Sequence, residues 1–269
     1  MGAIVLLGGV VAACTPPAEE SQETETETET GGEPDPCEGI EPGPDIVVND
    51  PADLEPLLGV ECIPGTLLVD QGTEPLPDLS GLEELKVVGT LSIRYNLGIE
   101  SLAGLENLQR VDRLELVGLQ NLTSLDKLES LVEAPDIVID NNDGLSDLMG
   151  LDQLVRIDDL ELNGNDGMID LTGLGAVQTL GSLTITEMDG MESFEGVEVL
   201  TRIEDNVSVK RNDVLSTLVG TTPMLDRLDS PVEFIDNPML SNCEIFDWAD
   251  GIGTKSAIIE SENLDEGCE

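Results

Sequence analysis

LQRVDRLELVGL (108–119), LVEAPDIVIDNN (131–142) and LVRIDDLELNGN (154–165) are three consecutive copies of one pattern. Each opens on Leu and then sets an aliphatic pair two residues apart: Leu114/Leu116, Ile137/Ile139 and Leu160/Leu162. The copies recur every 23 residues, and the interval holds from Leu85 through Leu108, Leu131, Leu154 and Val177 to Leu200. The matching pairs are Leu91/Ile93 and Leu183/Ile185, then Val207/Val209 one residue late. Earlier and later copies, with small insertions, stand at Leu67/Val69 and Val232/Phe234, which makes about eight turns. Alternation over a short span is the signature of a strand with one buried face.

After each pair the apolar spacing changes to three, as in Ile99-Leu102-Leu105-Leu108-Val111. Step-three spacing suits short extended or 3₁₀-like sides meeting at corners and leaves no room for a long helix. One such coil cannot bury its own apolar face; stacked coils, with strands about 4.8 Å apart, build a continuous core roughly 34 Å long. Three residues beyond the second strand position come Asn96, Asn142, Asn165, Asn212 and Asn237, in five of the seven turns from Leu91 onward. Inward Asn side chains at those bends bond backbone and one another from turn to turn, a structural ladder.

Segments such as LQRVDRLEL and LVRIDDLELNGN, with the IESLAGLENL phase between strands, resemble the receptor L domain of insulin and epidermal growth factor receptor ectodomains. The closing DNPMLSNCEIFDWADGIG and ENLDEGCE are similar to the ends of bacterial lipoproteins that carry such repeats. The resemblance covers roughly residues 65–268 and implies a right-handed parallel β-helix used for binding or scaffolding, without catalysis. A leucine-rich-repeat horseshoe is the alternative architecture, since Val88-x-x-Leu91-x-Ile93-x-x-Asn96 fits that consensus too. The β-helix is preferred because Leu102-Leu105-Leu108 leaves little space for a convex helix.

The ends have a different composition. Residues 1–13 (MGAIVLLGGVVAA) form an uncharged apolar run too short to span a bilayer as a mature helix, and Val11-Ala12-Ala13-Cys14 resembles a bacterial lipobox. On that reading Cys14 is lipidated and anchors the chain to a membrane of the bacterial envelope, at the outer membrane or cell surface. Residues 14–36, with Glu and Thr alternating from Glu23 to Thr30, are a disordered acidic tether. Residues 37–66 read as an N-terminal cap, 67–242 as the solenoid and 243–269 as a C-terminal cap. Removing Cys14 leaves Cys37, Cys62, Cys243 and Cys268, an even number suited to an oxidising compartment. Of three connectivities, Cys37 with Cys62 and Cys243 with Cys268 staples each end of the body, each loop contributing about 3 kcal/mol. Phe246 and Trp248, in the C-terminal cap, are expected to plug the core.

Composition excludes much. A formal charge of −46 repels nucleic acid. The absence of His removes Ser-His-Asp and Cys-His chemistry and His-ligated zinc; there is no CxxC spacing, and no cofactor is expected. Carboxylates abound, but the repeat sets no recognisable base or oxyanion partner beside them, so no enzyme is expected.

Two surfaces remain. Outward strand positions build a flat polar sheet face carrying Arg94, Glu115, Asp140, Glu161, Asn163 and Lys210, with Tyr95 as its amphipathic anchor. Protein or glycan recognition there is the expected function. Just past the Asn ladder, Asp143, Asp166, Asp189 and Asp213 stack in consecutive turns. That column is a weak candidate cation site, with calcium as its ligand and an adhesive structural role as the alternative function. Gly144, Gly167 and Gly190 follow the first three, so ordinary turn chemistry accounts for the same residues.

Overall fold

The computed structural model describes residues 36–41, 43–220, 232–251 and 258–264. The leader, Cys14, nearly all of the tether and Cys268 lie outside them. The chain is a right-handed parallel β-solenoid whose strands form one ten-stranded sheet in strictly sequential order. The strands are β1 Ile46–Val48, β2 Cys62–Val69, β3 Val87–Arg94, β4 Arg110–Val117, β5 Asp136–Asp140, β6 Arg156–Asn163, β7 Thr179–Thr186, β8 Arg202–Lys210, β9 Val232–Ile235 and β10 Ile258–Ser261. A single α-helix among the described residues, α1 Asn242–Gly251, stands between the last two. The sheet exceeds the eight anticipated strands by one at each end, because β1 and β10 are short and fall where insertions break the repeat.

Register follows the sequence period. Leu91, Leu114, Ile137, Leu160, Leu183 and Val207 pair in one line, and Ile93, Leu116, Ile139, Leu162, Ile185 and Val209 in the next. All are buried in one continuous core with the step-three leucines of the sides. Truncating any of these leucines to Ala costs about 2–5 kcal/mol, since neighbouring coils hold the cavity open.

Three further columns set the corners. The Asn ladder forms as expected. Leu119 N–H donates to Asn142 Oδ1 (2.8 Å), and Asn142 N–H to Asn165 Oδ1 (2.9 Å). Asn165 Nδ2 reaches back to the Ile139 carbonyl (2.8 Å). Asn263, absent from the sequence reading, continues the ladder by accepting the Asn237 N–H (3.0 Å). The second column is glycine, at Gly81, Gly104, Gly150, Gly173, Gly196 and Gly220, all with positive φ. At Gly104 a Cβ would lie 2.1 Å from the Leu79 carbonyl oxygen of the preceding coil, so only glycine lets the coils close. Where Lys127 takes that place, a 3₁₀ turn over Asp126–Leu128 replaces the glycine corner. The carboxylates two residues on, including Glu106 and Asp152, accept the glycine N–H groups (2.8 and 2.9 Å). Part of the acidic surplus is therefore turn chemistry. The third column, one residue before the ladder, is left-handed in every turn from Tyr95 (φ 50°) to Glu262 (φ 58°).

The ends are closed differently. A disulfide joins Cys37 to Cys62 around β1. Cys243 is disulfide-bonded as well. At the far end Ser241 Oγ caps α1 by accepting the Cys243 N–H (3.1 Å), and the Glu244 carboxylate accepts the Leu218 N–H (3.0 Å). Ile245, Trp248 and Ala249 share the buried face of α1, where Trp248 meets Phe234 edge-on at 5.5 Å. Phe246 falls outside that face and is 42% exposed, so of the two aromatics only Trp248 plugs the core.

Candidate functional site

The sheet face is not an open polar plane. Glu115 points outward from β4, yet its side chain is only 11% exposed because arginines fold over it. Arg94 bonds Glu115 Oε2, Arg113 Nε bonds Oε1 at 2.7 Å while its Nη1 engages Asp136, and Ser92 Oγ donates to Oε2 at 2.8 Å. Burial alone would raise the Glu115 carboxyl; the bonds from Arg94, Arg113 and Ser92 outweigh it and hold it at about 2. Ser92 is sealed beneath this network, and Ser208 is buried beside the Lys210–Glu233 pair (2.5 Å). Asp140 accepts amide bonds from Asn141 and Asn163, both 2.6 Å. Tyr95 is 60% exposed, but it sits in the left-handed corner with its ring edge against Gly118, where an added Cβ would come 2.8 Å from Cδ1. Of the residues named for this face, Glu161 and Tyr95 are exposed and have no side-chain hydrogen bond or ion pair among the described residues. Arg94, Glu115, Asp140, Glu161, Asn163 and Lys210 stand at outward positions of the strands and Tyr95 at the corner beside them; the neutralisation of charge among them arises from diagonal contacts that periodicity does not encode.

The Asp column forms and has a neighbour. Asp143, Asp166, Asp189 and Asp213 line one wall of an open groove of about 570 Å³, and the left-handed column supplies the other with Asn141, Gly164, Glu187, Arg211 and Asp236. Strand stacking repeats each wall about every 4.8 Å. One cation lies in the groove, Arg211, paired with Glu187 at 2.8 Å. Desolvation raises the Asp189 carboxyl above its ordinary value, and the charges of Asp166, Asp213 and Glu187 add to it. A hydrogen bond that protonated Glu262 donates to Asp236, and then the charge of Asp236, raise the Glu262 carboxyl in the same corner column. Asp166 does local work by accepting the Asp189 N–H (3.2 Å). Among the described residues no three carboxylates converge closely enough to hold a metal ion. Glu187 and Asp236 were not singled out in the sequence. Their signal was the corner column itself, hidden because its residue type changes at each turn.

No family model, curated protein or solved structure matches this chain.

Proposed function

We propose that this chain is a non-catalytic recognition protein, a lipid-anchored envelope component whose β-solenoid engages a protein or glycan partner. The Cys14 lipobox, the acidic spacer and the resemblance to receptor L domains support that reading. The observation that carries it is the unequal use of charge on two surfaces. The sheet face spends its arginines internally. The groove between the Asp column and the corner column keeps like charges stacked with Arg211 as the one cation in its lining, so a partner bringing positive charge gains most there. A basic protein segment is the partner class that fits best. The test is capture by the full chain of oligolysine and of envelope extracts, compared with a chain carrying Asp166→Asn, Asp189→Asn and Asp213→Asn together. Loss of capture supports the groove; loss on Arg94→Ala or Tyr95→Ala instead would return recognition to the sheet face.

The stacked carboxylates also favour a second reading, an adhesive protein that collects calcium. It predicts a rise in melting temperature with millimolar calcium beyond that given by sodium chloride of equal ionic strength. An equal rise in both salts excludes it.

A further inference from the structure

One strip of the surface, beginning after Lys86 in its row, carries no charge. The outward residues just before the strands stack as Gln109, Val132, Val155, Gln178 and Thr201; Val132 N–H bonds the Gln109 carbonyl at 2.9 Å and Gln178 N–H that of Val155 at 2.8 Å. The adjoining outward row, from Asn107 to Val199 at the same spacing, has no charged side chain either. Val132 and Val155 are 58% and 49% exposed, side by side at the middle of the strip. Loss of charge at the centre with a charged border is the usual anatomy of an interface.

The order of residues says what the strip fits. Read from either end, its centre is Gln-Val-Val-Gln. A two-fold axis lying in the surface, across the solenoid between Val132 and Val155, would set Val132 on Val155 of a second copy and Gln109 on Gln178. In one bordering row the same operation sets the exposed Glu133 opposite Arg156, whose guanidinium already holds Asp158 and Glu204 on its own chain; in the other it sets Glu129 opposite Asp152, whose carboxylate accepts the Gly150 N–H. Self-complementary pairing of this kind is what an isologous dimer requires. We propose that two copies of this chain associate through the strip, antiparallel, with Val132 and Val155 at the centre.

Charge chooses the face as well. With −46 on each copy, approach elsewhere meets repulsion, and the strip brings none. Its length, roughly 19 Å over five turns, gives less than the ~800 Å² per partner of a standard interface, so the pair is weak, about micromolar or weaker.

Sedimentation velocity of the full chain over a rising concentration series, at about 0.15 M salt, reads the association directly. The expected result is a monomer–dimer equilibrium whose dissociation constant rises at least about tenfold in Val155→Glu, with the melting temperature unchanged because the site is exposed. Glu133→Arg and Arg156→Glu each weaken the dimer, and the two together recover much of it, since the exchanged charges again face each other. A chain that stays monomeric throughout, whatever else the strip then binds, overturns the proposal. So does a dimer that Val155→Glu leaves intact, or a double charge exchange no better than either single one.

Discussion

The arginine-roofed face of β3–β5 and the carboxylate groove over β6–β9 are built from the same repeat, one corner apart, and handle charge in opposite ways. On the face a buried carboxylate is surrounded by donors, and its ionised form is the stable one. In the groove each carboxylate lies one strand spacing from the next, and ionisation works against the neighbours. Stacking permits both outcomes: adjacent coils bring neighbouring columns within side-chain reach, so opposite charges in adjoining columns become a network and a column of one sign becomes a strained row. A solenoid therefore cannot be indifferent to what occupies its columns, and a same-sign row persists at a cost in stability that a binding role would explain.

The largest expected effect lies on the face. Glu115→Gln keeps the size and one acceptor but leaves Arg94 and Arg113 without their shared anion. The two guanidiniums are 43% and 39% exposed, so water recovers part of the loss. The expected cost is about 2 kcal/mol, measured by denaturant unfolding, with hydrogen exchange rising in β3–β5 before β6–β9. A cost below about 0.5 kcal/mol, the range of exposed pairs, would mean the network is decorative and the contrast false.

Acid separates the two regions by sign. The Glu115 carboxyl titrates near 2 in the folded protein and near 4.5 unfolded, so its stabilisation is complete above about 4.5 and disappears as pH falls towards 2. Asp189 is raised, so the folded chain takes up its proton first. Its repulsion is present at neutral pH and is relieved as pH falls through the raised value. Acid therefore acts through two limbs of opposite sign: protonation of Asp189 adds stability in the groove as pH falls through its raised value, and protonation of Glu115 removes stability from the face as pH falls from about 4.5 towards 2. Glu115→Gln flattens the second limb, and Asp189→Asn the first. A single monotonic fall in the wild type, unchanged by Asp189→Asn, would erase the distinction.

The parts legible in the sequence were those that burial makes periodic. The paired aliphatics, the step-three sides and the Asn ladder all repeat because each coil must match the one below it. The glycine column at Gly104 and Gly150 had an equally regular spacing but was masked by the leucines around it. The left-handed column was invisible for another reason: Tyr95, Asn141, Glu187 and Arg211 share a backbone conformation and no side-chain chemistry. Arg94 and Arg113 occupy different rows and different strands, and their convergence on Glu115 depends on side-chain reach. β1 and β10 were missed because insertions shift the period just where the strands become short.

The smallest effect is the most discriminating. Asp189 has no hydrogen bond to its carboxylate among the described residues, whereas Asp166 Oδ1 accepts the Asp189 N–H. Replacing Asp189 with Asn thus removes charge and nothing else, and the chain should gain about 0.5 kcal/mol at low salt. Raising ionic strength should shrink that gain, because exposed like charges are screened beyond a Debye length of about 8 Å at physiological salt. Asp166→Ala should lose the gain by sacrificing its bond. If Asp189→Asn instead destabilises the protein, the column carries structural weight, and its acidity needs no partner to account for it. If it stabilises the protein and also abolishes capture of a basic probe, the same carboxylate is a liability for folding and an asset for recognition, which is the behaviour expected of a binding residue and of no structural one.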